Sequence, residues 1–405
     1  MKHVLFVDDD KNVLSGLRRM LRGIRKEWDM DFAPGGAEAL DMLEEKEYDL
    51  VISDMRMPGM DGAQLLQKVQ ERSPETVRII LSGHSEPTVV MRSVRTAHQF
   101  LSKPCSSEQL LKTLEDSYRL RQLLSNPRIK AAISGVETLP SIPDLYDRIL
   151  REIERPGSSL DEVGEIIAED VGMTAMILKM VNSSFFGFFR EITTPGQAVS
   201  LLGVEVVKAL VLSAHLFSSF DAKKAAPSFS MAKFRSHSLM VSKLSEAIAE
   251  HEGRNKQERE QCSVAGMLHD MGKLLLSTQT PTQYEEILSA AGAADMPEHE
   301  AEQRLLQTTH GEVGAYLLGL WGVHGEILES VAFHHVPETC PSQAFTPLAA
   351  VHAADYFEHK HLDIQGETAC ELNMQFLEQC GLAHRVPQWD SLCSRIIEEV
   401  KANDE

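Results

Sequence analysis

The stretch LVISDMRMPGMDG, Leu50 to Gly62, decides the fold of the first third of this chain. A strand-like apolar run, Leu50–Ser53, stops at Asp54 and gives way to Pro58 and Gly59, residues that turn a chain. A strand that is apolar throughout belongs in a parallel sheet covered by helices on both faces. Working outward, the same pattern recurs. Val4–Val7 runs into Asp8, Asp9 and Asp10, a weaker run covers Met30–Ala33, Val77–Leu81 precedes Ser82, and Phe100–Leu101 precedes Lys103. Amphipathic stretches separate these runs, with Leu14, Leu17, Leu21 and Ile24 on one helical face. The alternation predicts a doubly wound, five-stranded parallel α/β sheet over residues 1–121.

In such a sheet, ligands bind at the carboxyl ends of the strands. Asp8, Asp9 and Asp10 follow the first strand, Asp54 ends the third, Ser82 ends the fourth and Lys103 follows the fifth. Taken singly, each aspartate reads as a solvated loop residue. Taken together, they describe one site. Its carboxylates suit Mg²⁺, its lysine suits a phosphoryl group, and a carboxylate can itself be phosphorylated.

From about residue 136 strand-like runs vanish and helical periodicity dominates. Ser159–Glu162 and Thr309–Glu312 read as capping boxes, and Gly272 as a helix C-cap. Residues 136–405 are expected to form one all-α domain, joined to the first by a helical linker over 122–135. The leucines at 110, 111, 114, 120, 123 and 124 describe a last helix packed on the first domain, with a signal-carrying or dimer-forming face as the alternative. Residues 221–230 and 251–260 read as solvated loops, and Trp389, Ile396 and Ile397 as packing residues in a helical tail.

The chain has 40 Lys and Arg against 60 Asp and Glu, a net charge of −20. That balance argues against binding nucleic acid through phosphate neutralisation, or docking on an anionic membrane. No run approaches the ~18 apolar residues of a transmembrane helix, and the first apolar run is too short for a secretory signal. The six cysteines form no CxxC pair, so neither a disulfide framework nor a cysteine zinc site is expected. The expected location is the cytoplasm.

Sixteen histidines leave room for a metal site. Arg235–Ser236–His237–Ser238 begins an apolar-periodic helix, His269–Asp270 lies at a helix end before Lys273, His310 after the capping Thr309, His334–His335 at another helix end, and Asp355 on a further helix. A lone histidine is more often a hydrogen-bonded core residue. This set also matches the donors of Zn, Mn, Fe or Ni, and two metals joined through a shared carboxylate could activate water and clamp a phosphate.

The segments FVDDD, DMRMPGMDG, LSGH and FLSKP resemble the receiver domain of two-component response regulators across 1–121. The resemblance implies a flavodoxin-like fold and phosphorylation of Asp54 by a sensor histidine kinase. It implies Mg²⁺ held by Asp8, Asp9, Asp54 and the backbone carbonyl of Arg56. It makes Lys103 the phosphoryl contact, Ser82 the switch hydroxyl and Phe100 the switch aromatic, and Pro104 fits a cis bond. His237, His269, Asp270, Lys273, His310, His334, His335 and Asp355 fall in the order of the ligands of HD-superfamily metal phosphohydrolases, with Lys273 as a phosphate contact. Leu139–Pro143, Ile177–Ser183, Phe185–Gly187, Ala198–Gly203 and the run from His310 through Trp321 and Gly322 to His335 resemble the related HDOD output domain, with an HD-like core over about 230–360. Phe185, Phe186, Phe188 and Phe189 read as packing aromatics.

HDOD domains commonly signal without catalysis, so a signalling output stands first. A receiver-gated metal phosphohydrolase or phosphodiesterase is the alternative, and a metal or redox sensor a third reading. The Gly-Tyr-Pro segment of cyclic di-GMP phosphodiesterases is absent. The residue one turn before His237 is Lys233, so the expectation is a mono- or binuclear Fe, Mn, Ni or Zn site and not a trinuclear one. The downstream partner would be a protein or a small phosphorylated ligand, and a homodimer is one arrangement the linker allows.

Overall fold

The computed structural model describes residues 2–82, 96–124, 126–134, 136, 148–149, 151–153, 155, 159–182, 192–202, 225–321, 323, 325–340, 344–362 and 371–404. Residues 139–143, 183–189, 203 and 322, which carry part of the HDOD resemblance, lie outside the described residues, as do Gly83 and His84 of the LSGH segment.

Five strands form one parallel sheet: β1 (Lys2–Val7), β2 (Trp28–Ala33), β3 (Leu50–Asp54), β4 (Val77–Ser82) and β5 (Gln99–Ser102). Their order is β2-β1-β3-β4-β5. Order reverses between β1 and β3, so the crevice at their carboxyl ends is the expected ligand position. The central runs are apolar because both faces are covered: Val4 to Phe6 and Leu50 to Ile52 are buried, whereas edge strand β2 is half-exposed along its middle. Helices α1 (Lys11–Met20), α2 (Gly36–Glu45) and α3 (Gly62–Arg72) connect them. Asp10 caps α1 and Asp61 forms a capping box with Gln64 on α3.

Helix α4 (Ser107–Leu123) leaves this domain, and α5 (Pro127–Ser134) follows. The helical domain then runs through α6 (Leu160–Ala168), α7 (Val171–Val181), α8 (Pro195–Leu202), α9 (Met231–His251), α10 (Lys256–Leu268), α11 (Met271–Gln279), α12 (Pro281–Ala294) and α13 (Glu298–Leu306). It ends with α14 (His310–Leu320), α15 (Gly325–Phe333), α16 (Pro347–Leu362), α17 (Met374–Gln379) and α18 (Val386–Asp404). The capping boxes at Ser159 and Thr309 form as the sequence predicts. Trp389 and Ile397 of α18 are buried against α9 and α16. No described helix is long and apolar enough to cross a membrane.

Three readings need correction. Helix α9 begins at Met231, so His237 sits in its second turn. Residues 256–260 are not loop: Asn255 makes a capping box with Glu258 and starts α10. Gly272 caps nothing. It lies in the first turn of α11, where a Cβ would meet the His310 carbonyl oxygen at 1.8 Å. Its lack of a side chain lets the N-termini of α11 and α14 touch.

The leucine-bearing helix α4 serves both domains. Leu110 and Leu114 are buried in the core, and the helix contacts β3 and α14. Leu120 lies so close to α14 that a Cβ on Gly319 would meet its Cδ2 at 2.4 Å. Leu110, Leu114, Leu120 and Leu124 are thus covered within the chain. A buried polar clasp reinforces the junction. Arg78 of β4 is 1% exposed and donates from Nη2 to the Ser134 carbonyl at the end of α5, at 2.9 Å. His98 Nδ1 accepts the Arg78 backbone N–H, so its Nε2 carries the proton and donates to the same carbonyl at 3.0 Å. The Ser134 hydroxyl meets the Tyr316 hydroxyl of α14 at 2.7 Å.

Candidate functional site

The first cluster forms where β1 and β3 end and the chain leaves β5. Asp8 is 2% and Asp54 9% exposed, while Asp9 beside them is exposed. Lys103 Nζ bonds Asp8 Oδ2 at 2.6 Å and also bonds Asp54 Oδ1. The Arg56 backbone N–H donates to Asp54 Oδ2 at 2.6 Å. A Cβ on Gly62 would meet the Asp54 carbonyl at 2.2 Å, so only glycine lets α3 start this close to β3. Burial raises the Asp54 pKa, against the opposing pull of Lys103. Burial works against charge on Lys103 too, but its bonds to Asp54 and Asp8 outweigh it and hold the ammonium. The Lys103–Pro104 bond is cis. Ser82 ends β4 one residue beyond Leu81, the partner of Asp54, and Phe100 lies in β5; the side chains of Ser82 and Phe100 lie outside the described residues.

The second cluster gathers seven sequence-predicted residues from five places on the helical domain. His237 projects from α9, Asp270 precedes α11 with His269 beside it, His310 opens α14, His334 and His335 follow α15, and Asp355 comes from α16. Asp270, His310, His334 and His335 bring ligand atoms within 4.8 Å of one another, and so do His237, His269 and Asp355. Asp270 links the two groups: Oδ1 lies 3.2 Å from His310 Nε2 and 3.6 Å from His269 Nε2, and Oδ2 lies 3.4 Å from His237 Nε2. The Nε2 atoms themselves crowd together. His237 and His269 are 3.1 Å apart, His310 and His334 3.2 Å, and His310 and His335 3.0 Å. His269, His310 and His334 are buried, while the side chains of His237 and His335 keep 13% exposure at the mouth.

The other ring nitrogens explain this orientation. His269 Nδ1 lies 2.6 Å from the Gly266 carbonyl, and His334 Nδ1 lies 2.9 Å from that of Val331. A nitrogen facing a carbonyl carries the proton, so Nε2 of the neutral ring turns its lone pair inward. Burial lowers the His269 pKa to about 3, which keeps that ring neutral. His310 Nδ1 meets Glu302 at 2.8 Å and His237 Nδ1 meets Glu358 at 3.2 Å. Burial lowers both these pKa values, but the carboxylates outweigh it: His310 rises to about 10 and His237 to about 9. Burial would also raise the Asp270 pKa, but Lys273 and the surrounding imidazoles hold it well below the usual range. Lys273 Nζ lies 2.8 Å from Asp270 Oδ2 and 3.6 Å from Glu298 Oε2.

Such convergent lone pairs need a cation among them, whether protons or a metal. Buried Asp270 Oδ1 is left without a well-formed hydrogen bond. Imidazole and carboxylate donors in two adjacent groups, with Asp270 of the first close to two histidines of the second, fit two first-row metal ions. A third group, His237, Glu358 and His359, also closes within 4.8 Å. There His359 Nδ1 lies 2.9 Å from the Asp355 carbonyl and carries the proton, so that nitrogen is not a free donor.

The sequence reading overlooked Glu302 and Glu358, because neither stands beside a ligand in the chain. His352, three residues before Asp355, is structural: its Nδ1 meets the His334 carbonyl at 2.7 Å and its Nε2 accepts the Asn373 N–H at 2.9 Å.

A model of the HDOD domain matches residues 139–337, and one of the response regulator receiver domain matches residues 4–115. An uncharacterized protein of Treponema pallidum is 23% identical over 249 residues, covering 60% of this chain and 46% of that protein. The transcriptional regulatory protein GlrR of Escherichia coli is 36% identical over 134 residues, covering 32% of this chain and 29% of that protein. The chain thus spans less than half the length of these curated relatives. The crystal structure of the MmoQ response regulator of Methylococcus capsulatus is 21% identical, with a TM-score of 0.48 over 62% of this chain and 98% of that one.

Proposed function

We propose that this chain, which carries a response regulator receiver domain and an HDOD domain, is a response regulator in which phosphorylation of Asp54 in the cytoplasm controls a two-metal centre in the HDOD domain. The observation that carries this reading is the seating of α4, the helix that leaves the receiver, on α14, whose first residue is His310. A shift of the receiver against α4 therefore reaches a candidate metal ligand through one rigid helix.

At the receiver, an Asp54 oxygen attacks the phosphorus of a phosphohistidine on a sensor kinase. The N–P bond breaks and an acyl phosphate forms. Bound Mg²⁺ would neutralise charge on the transferred group, held by Asp8, Asp9, Asp54 and the Arg56 carbonyl. Lys103, already bonded to Asp54, turns to the new phosphoryl oxygens and holds their charge. Ser82, at the end of β4, and Phe100, within β5, are the proposed switch residues. The added charge and oxygens are what redraw the contacts of this face.

At the HDOD centre, His310, His334 and His335 would hold one ion and His237, His269 and Asp355 the other, with Asp270 placed between the two groups. The output is a signal to a downstream protein or a small phosphorylated ligand. Hydrogen exchange on the full chain tests the coupling. Acetyl phosphate should change protection in α14 of the wild type and leave Asp54→Asn unchanged. Full phosphorylation with no change in α14 overturns it.

One observation favours a second reading, metal-dependent phosphohydrolysis. Lys273 stands 2.8 Å from Asp270 Oδ2, where it would hold a phosphate oxygen beside the metals. Two metals there would supply activated water. An aryl phosphodiester, offered anaerobically to Mn²⁺- or Fe²⁺-loaded protein, should be hydrolysed by wild type and not by His269→Ala with Asp270→Ala. Turnover absent from both, or equal in both, removes this reading.

A further inference from the structure

Four of the clustered histidines, His237, His269, His310 and His334, solve one problem in two ways. An imidazole that must point Nε2 at a centre needs an acceptor behind Nδ1. His269 and His334 stand just past the C-termini of α10 and α15, where the last carbonyls of a helix have no helical partner. Those carbonyls, Gly266 and Val331, provide the acceptor. His237 and His310 have no such supply. His237 sits inside α9, where carbonyls are already bonded, and His310 is the first residue of α14, where the spare groups are N–H donors. Each has a carboxylate imported from another helix: Glu302 of α13 hydrogen-bonds His310, and Glu358 of α16 stands 3.2 Å from His237 Nδ1 as an ion-pair partner, off hydrogen-bond geometry.

Both carboxylates are costly to place there. Glu302 is fully buried and Glu358 is 2% exposed. Among the described residues, neither pairs with a lysine or arginine. Glu302 bonds the His310 ring and, at 2.7 Å, the His310 backbone N–H. Glu358 faces His237 and, at 3.6 Å, His359. A buried carboxylate without a partner cation is strongly disfavoured, so these charges make physical sense as the backing of imidazoles that carry a cation in front. They also divide evenly, His310 belonging to one metal group and His237 to the other.

Resting on the two-metal reading above, we infer that Glu302 and Glu358 are positioning residues, one for each metal position. Each fixes the ring of one histidine and strengthens it as a donor. The Glu302 bond to the His310 N–H also holds the first residue of α14, so it ties one metal position to the helix that meets the receiver.

The test uses the full chain, stripped of metal and titrated anaerobically with Co²⁺ against a competing chelator. Visible absorption reports each position. Glu302→Gln should weaken the position of His310 about 10–100-fold, and Glu358→Gln the position of His237 by a similar factor. In each variant the other position should stay within about threefold, and its absorption bands should not move. Thermal melts of the metal-free forms confirm folding. If one variant does not fold, the other carries the test on its own position. Glutamine variants that bind both ions as wild type does overturn the inference, and so does an equal loss at both positions, which would mark a merely structural role. Wild type that takes up no Co²⁺ overturns the metal reading itself, and the inference with it.

Discussion

The two clusters of this molecule bury carboxylates in opposite ways. In the receiver, the counter-charge is built in: Lys103 reaches both Asp8 and Asp54 from the end of the next strand. In the HDOD domain, Asp270 and Asp355 stand among imidazoles, and Lys273 meets one oxygen of Asp270, Oδ2, which also faces His237. A lysine can turn from a carboxylate to a phosphoryl group without leaving the site. Imidazoles can exchange their protons for a metal. The first arrangement suits a transient covalent event, and the second suits a resident ion.

Separate loss of the two functions should give the largest effects. Asp270→Ala removes the carboxylate that stands between the two groups, and metal content measured by mass spectrometry should fall from two ions per chain to none. Phosphoryl labelling should survive. Asp54→Asn should abolish labelling and leave metal content intact. If either variant loses both properties, the clusters are not independent sites.

Next in size is a change that touches no ligand. Gly272→Ala forces a methyl against the His310 carbonyl. It should cost about 3 kcal/mol in urea unfolding and lower metal occupancy. Gly16→Ala, where a Cβ meets nothing within 4 Å, is the control and should do neither.

The junction comes third. Arg78→Met removes a buried guanidinium that caps α5 and leaves the carbonyls of Thr96 and Ser134 short of donors. It should destabilise the chain by about 2–3 kcal/mol. Protease cleavage between the domains should rise while metal content holds.

The pH dependence is the smallest effect and sharpens the contrast. His237 and His310 have folded pKa values of about 9 and about 10, against an unfolded value of about 6.5. Raised values mean stability that is complete below the unfolded pKa and lost as pH rises through the folded ones. The metal-free chain should therefore weaken between about pH 7 and 10, and the metal-loaded chain much less. Metal uptake at pH 7 should release about two protons, measurable by calorimetry in buffers of different ionisation enthalpy. Release of none would place the inward protons elsewhere.

The receiver was legible because a strand has a period of two and a sheet collects its strand ends on one edge. Once five runs are identified, the position of Asp8, Asp54, Ser82 and Lys103 at one edge follows from topology alone. The HDOD cluster was legible only as an ordered set of motif residues. Helix periodicity says which face a histidine occupies, but not which other helices that face meets. Glu302 and Glu358 therefore carried no signal, and Gly272 read as a cap because its neighbour across space, His310, is invisible along the chain.

By itself, then, the sequence determined the parallel sheet, the helix caps at Ser159 and Thr309, the phosphoacceptor Asp54 as an expectation, and the set of histidines and aspartates that could meet. These rest on local periodicity and turn chemistry, which act over a few residues. Only the tertiary structure decided that those side chains converge within hydrogen-bonding distance, that two further carboxylates stand behind them, and that α4 is spent on α14 within the chain. These depend on how helices distant in sequence pack, and that is settled by the burial of whole faces, through close approaches such as Gly272 on His310 and Gly319 on Leu120.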